Sequence, residues 1–214
     1  IFLGFVFSCK PQINQENLIT EDVTFLASDA LEGRQTGTKG EKEAATYIEN
    51  RFKQLGLQPK GTSGFLQTFS FKPKTNPHDE VKFDVNGDGT ITGNNVIGFL
   101  DNNAENTIII GAHFDHLGFG GEGSLYRDAI KAIHNGADDN ASGVAVLLNL
   151  AAKLITKNTG NNYLFMAFSG EEMGLLGSNY FVKNPTIDIK KVSYMINMDM
   201  VGRMKKDSTL AVYG

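Results

Sequence analysis

From residue 107 onward, short apolar runs alternate with stretches of helical character. T-I-I-I-G-A (107–112), Y-L-F-M-A-F (163–168) and V-S-Y-M-I-N-M (192–198) have the length and unbroken hydrophobicity of strands buried on both faces. A-S-G-V-A-V-L-L-N-L-A-A-K-L-I (141–155) is too long for such a strand and predicts a helix, and a second helix is expected over 173–183. D-S-T-L-A-V-Y (207–213) starts a further strand. The first half is less regular. A short helix is expected over 20–29, a glycine-rich loop over L-E-G-R-Q-T-G-T-K-G (31–40), and an amphipathic helix over 40–55. In the last of these Ala44, Tyr47, Ile48, Arg51, Phe52 and Leu55 fall at three- and four-residue spacing. Phe65, Phe69 and Phe71 mark a strand, and 81–85 and 95–100 read as two more. The alternation predicts an α/β fold with a mixed, largely parallel central sheet flanked by helices.

The 214 residues make one domain, or one large domain with an N-terminal appendage, and carry a net charge of −4. No basic block exceeds Lys205–Lys206, so the charge pattern gives nucleic acid no footing. The single cysteine, Cys9, excludes an internal disulfide framework and any cysteine-rich zinc site. Residues 1–8, I-F-L-G-F-V-F-S, are apolar but too short to span a bilayer. They resemble the end of a secretory signal, and Ser8–Cys9 resembles the cleavage site of a bacterial lipoprotein. The competing reading is a buried N-terminal strand with an inert thiol. The expected organisation is a signal remnant over 1–9, a polar tether over 10–19 and a catalytic domain over 20–214. The protein is then exported, periplasmic or on the cell surface, and held at the membrane by a lipid on Cys9.

In sheets of this kind ligands bind beyond the C-terminal ends of the strands. H-F-D-H (113–116) follows the first strand, S-G-E-E (169–172) the second and Asp199 the third, while G-A-D-D-N (136–140) precedes the helix at 141. Carboxylates gathered on one rim repel each other unless cations hold them, which points to a metal site. Each piece alone reads two ways. His113 fits a ligand or a core histidine, and Asp115 fits a partner that orients its ring. Asp138 and Asp139 fit ligands or helix caps, with Asn140 and Ser142 competing for the cap. Glu171 and Glu172 fit a solvated turn, or a metal ligand beside a base that takes a proton from water. Asp199 sits in the apolar run N-M-D-M-V-G and needs a partner.

Taken together, G-A-H-F-D-H, N-G-A-D-D-N-A-S-G-V-A, F-S-G-E-E-M-G-L-L-G-S and I-N-M-D-M-V-G resemble the M28 family of zinc aminopeptidases in order and spacing. L-E-G-R-Q-T-G-T and L-G-L-Q-P look like the family's N-terminal part, so the likeness covers about 20–214. The resemblance implies the zinc-dependent exopeptidase (phosphorylase/hydrolase-like) fold and two Zn2+ per complete domain. It implies that His113 and Asp199 bind one zinc, that Glu172 binds the second, that Asp139 bridges both, and that a cis peptide joins Asp139 to Asn140. Glu171 is then the general base and Asp115 supports His113. The implied reaction is hydrolysis of the N-terminal bond of a peptide with a free amino terminus. The family's second zinc also takes a histidine from the C-terminal part of the domain. The histidines here are His78, His113, His116 and His134, and none follows Asp199. The expectation is therefore a domain that continues past Gly214, with this piece inactive by itself.

Other readings stay open. A glutaminyl cyclase shares the fold and much of the ligand set, and a family carboxypeptidase is a third enzyme. D-V-N-G-D-G-T-I-T-G-N-N (84–95) resembles a Ca2+ loop with Asp84, Asn86 and Asp88 in ligand positions, which would suit a calcium-stabilised surface binding module. Asn95 stands where a bidentate Glu is expected, and a glycine-rich hairpin turn is the alternative.

If Cys9 carries the lipid, Cys9→Ser in the full-length protein should move it from the membrane fraction to the soluble exported fraction. Unchanged membrane association, or a cytoplasmic location, would contradict the anchor.

Overall fold

A computed structural model of the chain describes residues 15–74, 80–121, 123–128, 130–157, 160–203 and 212. Cys9, His78 and nearly all of the strand expected over 207–213 lie outside these residues.

Helix α1 (Gln15–Leu26) begins inside the segment expected to be a tether and ends before residue 29. Helix α2 (Lys39–Gln54) starts at Thr38, whose hydroxyl accepts from Glu41 N, and buries Ala44, Ala45, Ile48 and Phe52 along one face. A two-residue β1 (Gln58–Pro59) and β2 (Leu66–Phe71) both pair antiparallel with β3 (Ile91–Leu100). The strand expected over 81–85 is only an isolated bridge between Phe83 and Phe71. After β4 (Thr107–His113) the chain reaches α3 (Gly143–Leu154), β5 (Asn162–Phe168), α4 (Leu176–Lys183) and β6 (Val192–Asn197). Helix α4 starts later than 173, because backbone turns after Glu171 take up that stretch.

The sheet order is β1-β3-β5-β4-β6, with β2 also on β3. The sheet is mixed: β3 meets β5 antiparallel, while β4 is parallel to both β5 and β6. Three parallel strands therefore bring their C-terminal ends to one rim.

The apolar runs are unbroken because both faces are covered. Ile108, Ile110, Phe165 and Ala167 point to one side and join Ile48 and Phe52 of α2 and Val144, Leu147 and Leu148 of α3. Ile109, Leu164, Met166 and Phe168 point to the other side and pack with Phe181 of α4. This is the period-two alternation of a strand with two buried faces. At the β6 edge Tyr194, Met195 and Ile196 remain about half exposed.

Of the stretch 84–95, residues up to 90 form a turn and the remainder is strand. Residues from Ile91 onward belong to β3, and Asn95 is buried there, donating to Gln67 Oε1 and Gly177 O. The Asp84 carboxylate accepts from the Tyr180 hydroxyl at 3.2 Å. The physical reason is that β3 is long and pairs on both sides, so the position that should close the loop is drawn into the sheet.

Candidate metal centre

His113 is the last residue of β4, and its ring is buried at the rim. Its Nδ1 lies 3.2 Å from the Asp115 carbonyl. Its Nε2 faces a fan of carboxylates: Asp139 Oδ1 at 3.2 Å, Asp199 Oδ1 at 3.6 Å and Glu171 Oε2 at 3.9 Å. Despite these neighbours, this buried nitrogen makes no hydrogen bond. Burial opposes charge on the ring, but Asp115, Asp139 and Asp199 outweigh it and hold the His113 pKa up at about 12. The same contact with His113 holds Asp139 below the usual carboxylate range. Glu171 moves upward, first because it is partly buried and then because Asp115, Glu172 and Asp199 surround it.

Among the described residues, two groups bring ligand-type atoms within 4.8 Å of one another: His113, Asp139 and Asp199, and His116, Asp139 and Glu172. Asp139 belongs to both. The expected residues thus meet at one rim, joined by His116, to which sequence reasoning gave no role. Its Nδ1 is 2.6 Å from Glu172 Oε1. The second histidine of H-F-D-H was the available signal. Glu171 lies outside both groups.

Local structure explains the convergence. Asp139 sits in an irregular turn over Ala137–Ser142, and its peptide bond to Asn140 is cis. Asp138 points the other way, accepting from Gly202 N and facing Arg203, which settles which of the pair faces the site. Asn140, inside the same turn, accepts from Gly143 N at the start of α3. Its side chain also donates to Met198 O and accepts from Met200 N, gripping the backbone on either side of Asp199.

Asp115 also contacts the loop that bears the glutamates. Its fully buried carboxylate accepts from Thr36 Oγ1 at 3.0 Å, from Glu171 N at 3.1 Å and from Glu172 N at 3.4 Å. It therefore fixes the turn that presents both glutamates. Ser169 Oγ reaches Thr36, and Glu41 of α2 lies behind them, accepting from Asn94 N. No pattern in the sequence singled out Thr36 or Glu41.

The family model for peptidase family M28 matches residues 95–213. The chain belongs to that family. A relative in Trichophyton verrucosum described as a probable leucine aminopeptidase is 39% identical over 171 residues, which is 77% of this chain and 38% of the relative. The chain spans less than half the length of the curated relatives it matches. Among solved structures, the glutaminyl cyclase of Bacteroides thetaiotaomicron is similar with a TM-score of 0.66 at 19% identity, over 90% of this chain and 63% of that one. A Zn-dependent exopeptidase from Parabacteroides distasonis gives 0.63 at 22%, over 90% and 63%. These likenesses show that the M28 chain has the mixed α/β fold of zinc exopeptidases.

Burial raises the pKa of Glu41 to about 7, against a weaker pull from Ser169 and Asn94. A carboxyl with a folded pKa above its unfolded value stabilises the fold most at low pH. That contribution falls as pH rises from about 4.5 to about 7, by about 3 kcal/mol. Glu41→Gln, which cannot ionise, should flatten the slope of unfolding free energy between pH 5 and pH 7.5 in urea titrations. An unchanged slope would contradict this.

Proposed function

We propose that this chain carries most of the catalytic site of a zinc-dependent aminopeptidase, exported and anchored through Cys9. The observation that carries the reading is the pair of ligand groups sharing Asp139, with Glu171 beside them but in neither. The fit to zinc rests on His113 Nε2, a buried nitrogen with no hydrogen-bond partner, aimed at carboxylates. The donors are nitrogen and oxygen only, which suits Zn2+ and also cobalt or manganese.

His113, Asp139 and Asp199 would hold one zinc, and Asp139 and Glu172 the second. Bound there, zinc would supply Lewis acidity toward the scissile carbonyl and acidify a water. Glu171 serves as general base. Its raised pKa makes it a better proton acceptor, and it passes that proton to the leaving amine. Asp115 keeps Glu171 in place through its backbone N–H. Beside Glu171 a cavity of about 210 Å³, with Phe168, Leu175 and Met195 in its wall, gives room for an apolar side chain.

A glutaminyl cyclase is the second reading, favoured by the fold likeness to the Bacteroides enzyme. Release of free amino acids from unblocked peptides supports the first reading, and cyclisation of an N-terminal Gln supports the second.

The adjacent glutamates separate the roles in the full-length protein. Glu171→Gln should keep the metal content near that of the unaltered protein, while kcat on an amino-acid amide falls by roughly 10²–10⁴-fold with little change in KM. Glu172→Ala should lower metal occupancy, and added metal should restore activity only in part. Metal loss in Glu171→Gln with full occupancy in Glu172→Ala would reverse the assignment. Full activity in both would place catalysis elsewhere.

A further inference from the structure

Arg34 is completely buried and has no ion-pair partner among the described residues. Burying an unpaired cation is costly, and burial pulls its pKa down to about 10, against the pull of Asp115 and Asp139. An apolar side chain would fill the same volume without that cost. What the guanidinium offers is a rigid fork of donors. Nε donates to Phe114 O at 2.7 Å, Nη1 to Asn135 O at 2.7 Å and to Leu26 O, and Nη2 to Gly136 O at 3.0 Å. The acceptors are main-chain carbonyls from three segments. Phe114 follows His113. Asn135 and Gly136 open the turn that carries Asp139. Leu26 ends α1.

The backbone around Arg34 reinforces the same junction. Arg34 O accepts from His116 N, Gly33 O accepts from Gly118 N, and His134 N donates to Gly118 O. Gly33 has φ +71, and a Cβ there would lie 2.5 Å from His134 O, so the segments of this junction touch without room for a side chain. Gly136 O accepts from both Arg34 and Ala141 N, so the carbonyl that Arg34 holds also closes the turn around Asp139.

We propose that Arg34 is a positioning residue. By clamping the carbonyls of Phe114, Asn135 and Gly136 it sets the Asp139 carboxylate against His113 Nε2, and thereby the affinity of the site for its cation. The inference rests on the proposed metal site but adds a residue that touches neither metal nor substrate. Lysine keeps the charge but is a single point donor and cannot span three segments. Gly136→Ala tests the same joint with Arg34 intact, because the new methyl would meet Arg34 Nη2 at 2.7 Å and Asp139 O at 2.4 Å.

The experiment is titration of full-length protein with Zn2+ against a chromophoric chelator, and with Co2+ followed by its visible absorption. Leu147→Ala in the core of α3 serves as a destabilised control away from the site. Arg34→Lys and Gly136→Ala should still unfold cooperatively, bind Zn2+ roughly 10–100-fold more weakly and change the Co2+ spectrum. Leu147→Ala should bind as the unaltered protein does. Unaltered affinity and spectrum in Arg34→Lys would overturn the inference. So would equal weakening in Leu147→Ala, or failure of both Arg34→Lys and Gly136→Ala to fold, since Arg34 would then serve stability alone. Absence of Zn2+ binding by the unaltered protein would instead overturn the metal site, and this inference with it.

Discussion

Carboxylates of Asp115, Asp139, Glu171 and Asp199 crowd around the imidazole of His113 at the end of β4, with Glu172 beside them on His116, and the architecture depends on offsetting their repulsion. Asp115 is removed from the conflict by full burial among donors: the Thr36 hydroxyl and the amides of Glu171 and Glu172. Asp139, Glu171 and Asp199 stay partly exposed and face a His113 nitrogen that no hydrogen bond satisfies. A folded arrangement that leaves such charges together is poised to receive cations, since binding is strongest where a prearranged set of ligands is waiting.

The sheet supplies the prearrangement. Because β4, β5 and β6 run parallel, the loops leaving their C-terminal ends all emerge at the same rim. Polar side chains buried beneath that rim then set the details. Asn140 grips the backbone around Asp199, Asp115 fixes the glutamate turn, and Arg34 joins the turn after β4 to the one bearing Asp139. The N-terminal segment thus forms part of the site although it contributes no candidate ligand.

The rim was legible in the sequence because strand length and burial are local signals, and His113, Glu171, Glu172 and Asp199 follow strands that announce themselves. Asp139 could not be told from Asp138 by local rules, since both precede a helix. Their roles diverge only where Gly202 N and Arg203 claim Asp138. Arg34, Thr36 and Glu41 were invisible for a related reason. Most of their partners lie many tens of residues away, and a polar residue in a glycine-rich loop or the first turn of a helix reads as solvent-facing until those partners are known. His116 was in plain view, but its pairing with Glu172 comes from the approach of two loops, not from spacing. The ends of helices moved for local reasons, as at α4, where backbone turns after Glu171 occupy residues expected to be helical.

The most direct measurement is anomalous scattering at the zinc absorption edge from crystals of the full-length protein grown with Zn2+. The account predicts two peaks at the sheet rim, one within coordination distance of His113 and Asp199 and one of Glu172, with the Asp139 carboxylate reaching both. Peaks that leave His113 and Asp139 untouched, or no peak at the rim, would contradict it.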